Sequence, residues 1–137
     1  MKEKLRNNLI RLYDLNENKE WRTKEFIDSE AYKKLQTLIN GSESIKEQDP
    51  LWNELEITLL KFYPDFKSNL QVLLRGRLSL SELQTSILIK YGVSPSQMAI
   101  LLNRSKNTIV SRRNTIGLKM FDEKMPPKII DSIIRIL

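Results

Sequence analysis

The chain of 137 residues contains no cysteine and no histidine. Without cysteine it cannot form disulfides or thiolate metal sites, and without histidine it lacks the commonest general base and metal ligand. No apolar run reaches the roughly 18 residues that a membrane-spanning helix needs, and the N-terminus lacks the uninterrupted apolar stretch of a signal peptide. No nucleophile–base pair, phosphate-binding glycine loop or metal-ligand set is found either. The sequence therefore predicts a cytoplasmic protein that is not an enzyme and uses no cofactor or metal.

Strand patterns are also absent, since no alternating β-branched runs are flanked by hairpin turns. The apolar residues instead recur at helical spacing, and most of the four glycines and five prolines lie at helix boundaries. An all-α fold follows, with an N-terminal helical segment over 1–75 that modulates or dimerises and a second unit over 76–137. In the first segment the pattern predicts helices over 2–15, 23–39, 51–62 and 64–74, and a polar loop over 41–50. Its aromatic residues are assigned to core packing rather than to a base-stacking platform.

The basic residues are unevenly distributed. Residues 1–75 carry 13 Lys and Arg against 13 Asp and Glu, whereas residues 76–137 carry 10 against 4, so the net charge of +6 comes entirely from the second half. A compact basic segment attracts a phosphate backbone at long range. The alternative is a solvated surface that binds nothing.

Helix-capping residues are dense in the second half. Ser79 and Glu82 form a capping-box pattern, Ser94 begins a second helix with Pro at its first position, and Ser105 caps a third helix over 106–120. A short helix, a turn of about three residues and a longer basic helix make up the arrangement of a helix-turn-helix. A three-helix bundle without a ligand has the same pattern.

The third helix separates into a core stripe and a polar remainder. Ile109, Ile116 and Met120 share one stripe and are predicted to face the core. The candidate DNA-binding residues are those outside this stripe, together with the preceding turn: Arg104, Lys106, Asn107, Thr108, Val110, Ser111, Arg112, Arg113 and Asn114.

Each of these residue types suits a particular contact. Asn114 can bind adenine through two hydrogen bonds, and Val110 can contact a thymine methyl group. Arg112 and Arg113 suit phosphate oxygens or guanine, and the amides at the helix N-terminus can bind a phosphate. Thr108 is either a contact residue or a second capping hydroxyl.

The register over 78–120 resembles the DNA-binding domain of LuxR/GerE-type regulators. The residues that carry the resemblance are Leu78, Ser79, Glu82, Leu88, Ile89, Gly92, Ser94, Ala99, Leu102, Ser105, Thr108, Ile109, Ile116, Lys119 and Met120. The resemblance implies DNA binding through the third helix and dimerisation through the last one. Val110 departs from the family, which usually carries Lys there. Residues 111–113 are also similar to region 4 of sigma factors. Residues 51–74, with Trp52, Tyr63, Pro64 and Phe66, are together with the tail similar to the C-terminal ends of Bacteroidetes-type sensor-regulators, which implies a cytoplasmic fragment with an upstream sensor region.

The final segment, 128–137, contains six large apolar residues in ten. One narrow stripe needs fewer, so half are predicted to cover the core and the rest to form a homodimer contact.

The predicted function is a transcriptional regulator that reads double-stranded DNA in the major groove. The alternatives are a protein-interaction module that no longer reads DNA and a sigma-region-4-like factor.

Overall fold

The computed structural model describes residues 21–137, and in that range the chain forms eight helices and no strand. In chain order they are α1 (Lys24–Ile27), α2 (Glu30–Asn40), α3 (Leu51–Phe62), α4 (Phe66–Leu73), α5 (Leu80–Lys90), α6 (Pro95–Leu101), α7 (Lys106–Phe121) and α8 (Pro127–Ile136). The predicted all-α class is confirmed, while the helix predicted over 2–15 lies outside the described residues. None of the described helices combines the length and the apolar character that crossing a membrane requires.

Side-chain caps begin α5, α6 and α7 at the predicted residues. Ser79 and Ser94 each accept a hydrogen bond from the third helical amide, and the side-chain oxygens of Glu82 and Gln97 each accept one from the cap amide. Ser105 accepts from the Thr108 amide at 3.1 Å. Each cap is worth about 1 kcal/mol, so local chemistry fixes the starts of all three helices.

The helix predicted over 23–39 is divided into α1 and α2. The helix predicted over 64–74 forms as α4, which covers only Phe66–Leu73. Asp28 ends α1, and Ser29 takes an extended conformation in which its hydroxyl accepts from the Tyr32 amide at 3.4 Å. A serine hydroxyl competes with the helical backbone for such amides. The break places the rings of Phe26 and Tyr32 edge to face with centroids 5.4 Å apart.

One hydrophobic core includes residues from both predicted segments. The ring of Tyr91, at the end of α5, packs against Phe26 and Tyr32 of the first segment. Its hydroxyl donates to the carbonyl oxygen of Leu55 at 2.6 Å, and the indole of Trp21 donates to the carbonyl oxygen of Lys90 at 2.9 Å. The aromatic residues thus serve core packing, and the helices of the second segment are supported by the first.

The last helix, α8, covers α5 and α7. Ile130, Ile133 and Ile134 are fully buried, and its other large apolar residues are half-buried. None of them is among the exposed large apolar side chains of the described residues. The apolar residues of this helix that are left for the predicted dimer contact are the half-buried Ile129, Ile136 and Leu137.

Gly117 lets α7 and α8 approach closely. A Cβ added at Gly117 would overlap Cδ1 of Ile130 and lie 3.1 Å from its Cγ1. Ile130 is completely buried, so its side chain cannot turn away into solvent.

We expect Gly117→Ala to lower the free energy of unfolding by up to about 2 kcal/mol. The overlap costs about 1–3 kcal/mol and outweighs the roughly 1 kcal/mol that Ala gains over Gly in a helix. Urea unfolding measures the difference. In an Ile130→Val background, which lacks Cδ1, Gly117→Ala should cost less; equal costs in both backgrounds would show that the two side chains do not collide.

Candidate nucleic-acid interface

Three consecutive helices, α5, α6 and α7, have 11, 7 and 16 residues. Asn103 adopts a left-handed conformation with φ 51° after α6, and the Arg104 amide then donates to the carbonyl oxygen of Ala99 at 2.9 Å. This closes a short turn between α6 and α7. The order and lengths are those of a helix-turn-helix, in which α7 takes the place of the recognition helix.

Helix α7 has one face in the core and one in solvent. The predicted core residues Ile109, Ile116 and Met120 are all buried. The opposite face carries the exposed residues of the helix: Lys106, Asn107, Val110, Ser111, Thr115 and Leu118. The first half of α7 thus presents three neutral side chains that could reach base edges, with Lys106 as the cation in its first turn.

The predicted contact residues fall into three groups. Arg104, Lys106, Asn107, Val110 and Ser111 are exposed; Thr108, Arg112 and Asn114 are half-buried; and Arg113 is buried. Most of the predicted site therefore lies together on the turn and the first half of α7.

Thr108 contacts the residue that caps α7. Its Oγ1 lies 3.0 Å from Oγ of Ser105, and its backbone amide donates to the same Ser105 oxygen. The first contact engages the Thr108 hydroxyl at the start of α7.

Arg113 is not available to DNA, which corrects the prediction that it binds phosphate or guanine. Only 8% of the residue is exposed. Its Nε donates to Oδ1 of Asp131 at 3.0 Å and its Nη2 to Oδ2 at 2.5 Å, so both nitrogens face α8. Burial raises the pKa of Asp131, while the Arg113 guanidinium opposes that rise. The pair fastens α7 to α8.

Asn114 is also turned partly inward. Its Oδ1 is buried and has no hydrogen-bond partner among the described residues. A two-bond contact with adenine needs both the oxygen and the nitrogen of the side-chain amide. Asn114 therefore cannot make the predicted contact in this conformation, because its oxygen is buried.

Other cations of the basic segment are also engaged within the protein. The ammonium of Lys119 lies 2.7 Å from Oε2 of Glu82 and donates to the carbonyl oxygen of Arg77 at 2.8 Å. Burial alone would raise the pKa of Glu82, but hydrogen bonds from Lys119 and Ser79 lower it overall. Lys90 is buried as well. The charge count of the sequence therefore overstates the charge that a ligand could meet.

Three cations remain accessible around the start of α7: Arg104, Lys106 and Arg112. Within residues 21–137 no carboxylate pairs with any of them. Arg104 donates to the carbonyl oxygen of Asn103 at 3.1 Å, which leaves most of its donors unused. These side chains flank the exposed neutral face of α7.

Sequence reasoning missed a fourth cation. Lys46, in the loop between α2 and α3, lines a cavity of about 320 Å³ together with Arg104 and Arg112. We call this cavity the loop–turn cleft; its lining residues are Ser44, Ile45, Lys46, Glu47, Ser81, Gln84, Leu102, Asn103, Arg104 and Arg112. The signal in the sequence was Ile45, an isolated large apolar residue in a polar loop, which is buried.

The arrangement is chemically suited to an anionic ligand, with cations at the edges and neutral hydrogen-bonding groups between them. No family model, curated protein or solved structure matches the chain. The resemblance of residues 78–120 to the LuxR/GerE domain therefore stays a prediction from the sequence.

Proposed function

We propose that this protein is a transcriptional regulator that binds duplex DNA through α7. The observation that carries the proposal is the position of Arg104, Lys106 and Arg112 at the exposed first half of α7, where they have no acidic partners in the described chain. Cations at the flanks of such a helix bind phosphates, and the residues between them meet base edges.

Base contacts would come from few residues. Asn107 and Ser111 can exchange hydrogen bonds with base edges, and Val110, which is 42% exposed, can contact a thymine methyl group. With Arg113 and Asn114 turned inward, phosphate contacts dominate. Affinity should accordingly fall steeply with salt, and discrimination between sequences should be modest.

Dimerisation, a cytoplasmic location and control by an upstream sensor region belong to the same proposal. A dimer would place two α7 helices on half-sites about one helical turn of DNA apart. Light scattering of the chain with and without DNA measures whether pairing occurs, and where it does, the protein should bind a palindromic site as two copies.

Two substitutions with opposite expected effects on affinity test DNA binding through α7. Lys106→Gln should weaken binding to genomic duplex fragments about fivefold and reduce the slope of log affinity against log salt by about 1, because one phosphate contact is lost. Val110→Lys adds a cation to the exposed face and should strengthen binding and steepen the slope by a similar amount.

The matched control is Lys33→Gln, which removes an exposed cation of α2. Its affinity and salt slope should equal those of the original chain. Undetectable binding at low salt, or binding that does not depend on salt, would contradict the proposal.

A second candidate function is protein interaction without DNA readout. Its support is the neutral exposed face of α7, where Val110 and Leu118 are 42% and 46% exposed. An interaction module should recover a partner from nuclease-treated lysate, lose it on Leu118→Lys, and show no DNA affinity at low salt.

A further inference from the structure

The loop–turn cleft is built from both halves of the chain. Its walls are the loop 44–47, the first turns of α5, the turn 102–104 after α6, and Arg112 of α7. Its volume of about 320 Å³ is at the lower end of the range for small-ligand sites. The cleft borders the first half of α7 on the side of Arg112, next to the proposed DNA-binding face.

The loop that carries Lys46 is held in place by three consecutive residues. The Ile45 amide donates to the carbonyl oxygen of Leu101 at 2.7 Å, at the end of α6. The indole of Trp52 donates to the carbonyl oxygen of Lys46 at 3.0 Å. The side-chain amide of Gln84 donates to the carbonyl oxygen of Glu47 at 3.1 Å. Because Ile45, Trp52 and Gln84 are buried, the loop is fixed against α5 and α6 before any ligand binds. Such preorganisation reduces the entropy lost on binding.

The chemistry of the lining favours an anion. Lys46, Arg104 and Arg112 contribute three positive charges against one negative charge from Glu47. No ion pair within residues 21–137 involves any of these four side chains. The hydroxyl groups of Ser44 and Ser81 and the amide of Asn103 add neutral hydrogen-bond donors.

We propose that the loop–turn cleft binds one phosphate group, held between Lys46 on the loop and Arg112 on α7. Arginine binds phosphate through two parallel hydrogen bonds, and lysine adds a point charge. The inference rests on the proposed function in one respect: in a DNA complex the phosphate belongs to the backbone strand that borders α7. It makes the loop of the first half part of the DNA-binding surface.

The DNA arm of the test is a double-variant cycle on the full chain. Lys46→Gln and Arg112→Gln should each weaken binding to duplex DNA about tenfold and reduce the salt slope by about 1. The double variant should lose much less than a hundredfold, because both side chains hold the same phosphate. The control cycle, Lys33→Gln with Lys128→Gln, removes two exposed cations outside the cleft and should change nothing.

The free-phosphate arm titrates inorganic pyrophosphate into the full chain without DNA. Amide NMR shifts should concentrate at residues 44–47, 102–104 and 112, and should vanish in the Lys46→Gln, Arg112→Gln double variant. Pyrophosphate should also compete with DNA for the original chain.

The outcomes separate the two proposals. Normal DNA binding by Lys46→Gln together with unlocalised pyrophosphate shifts would overturn the cleft and leave DNA binding intact. Fully additive losses would assign two separate phosphates and overturn the single site. Localised pyrophosphate binding without DNA affinity would support the cleft with a free phosphorylated compound as its ligand, and would overturn the DNA function.

Discussion

Arg113→Ala should lower the free energy of unfolding by about 3–5 kcal/mol, the cost of leaving one member of a buried ion pair without its partner. The carboxylate of Asp131, in a residue only 7% exposed, would lose both hydrogen bonds from the guanidinium. A domain of this size has a total stability of about 5–15 kcal/mol. The variant should therefore be close to unfolding at physiological temperature, and any loss of DNA binding would follow from that.

Urea unfolding of three variants distinguishes this structural role from a role at the surface. Arg112→Ala changes the neighbouring, more exposed arginine and should shift stability by less than about 1 kcal/mol. Arg113→Met combined with Asp131→Leu removes both charges and should recover most of the lost stability, since apolar pairs often replace buried ion pairs without penalty. If Arg113→Ala unfolds at the same urea concentration as the original chain but binds DNA weakly, then Arg113 acts at the surface.

The positions of the helices in the second half could be predicted because their caps are local. Ser79 with Glu82, and Ser94 with Gln97, satisfy amides within three residues, so the sequence window contains both partners. The break between α1 and α2 was missed although Ser29 is a local cap of the same kind, because the apolar stripe continues across Asp28 and Ser29 and hides it. The packing of Phe26 against distant rings accompanies the bend.

The site was only partly predictable because tertiary partners decide which cations remain free. Arg113 lies four residues after the buried Ile109 and three before the buried Ile116, so helical spacing already places it on the core face. Its partner Asp131 is the only acid in α8, and it stands between Ile130 and Ile133 on the apolar side of that helix, which was the available clue. Lys46 reaches the site through the tertiary contacts of Ile45 and Glu47. The isolated apolar Ile45 indicates that the loop packs against the protein, but the sequence does not indicate which helices it contacts.

The stability of the chain should rise by about 2 kcal/mol between pH 7 and pH 9.5 because of Lys90. This residue is 2% exposed; its ammonium donates to the carbonyl oxygen of Arg135 and lies 4.1 Å from the centre of the Tyr63 ring. No carboxylate within residues 21–137 pairs with it. Burial lowers its pKa from 10.5 to about 8.

The direction of this pH dependence follows from the number of protons that the folded and unfolded chains bind. Between the folded pKa of about 8 and the unfolded pKa of 10.5, the unfolded chain holds more protons than the folded chain, so raising the pH favours folding. Below about pH 8 both states carry the charged ammonium, and the folded state bears the full cost of burying it. Burial raises the pKa of Tyr91, with the Glu54 carboxylate adding to the rise, so its hydroxyl stays neutral throughout this range.

Lys90→Met should abolish the rise, because methionine fills a similar volume and does not titrate. At pH 7 the variant should be more stable by about 1 kcal/mol, since the cost of burying the charge exceeds the hydrogen bond and cation–π contact that are lost. Urea unfolding at pH 7, 8, 9 and 9.5 measures both effects, and Lys33→Met, at an exposed lysine of α2, is the matched control that should keep the original pH dependence. A rise that persists in Lys90→Met would assign the titration to another group, and a flat profile in the original chain would mean that Lys90 stays charged in the folded protein up to pH 9.5.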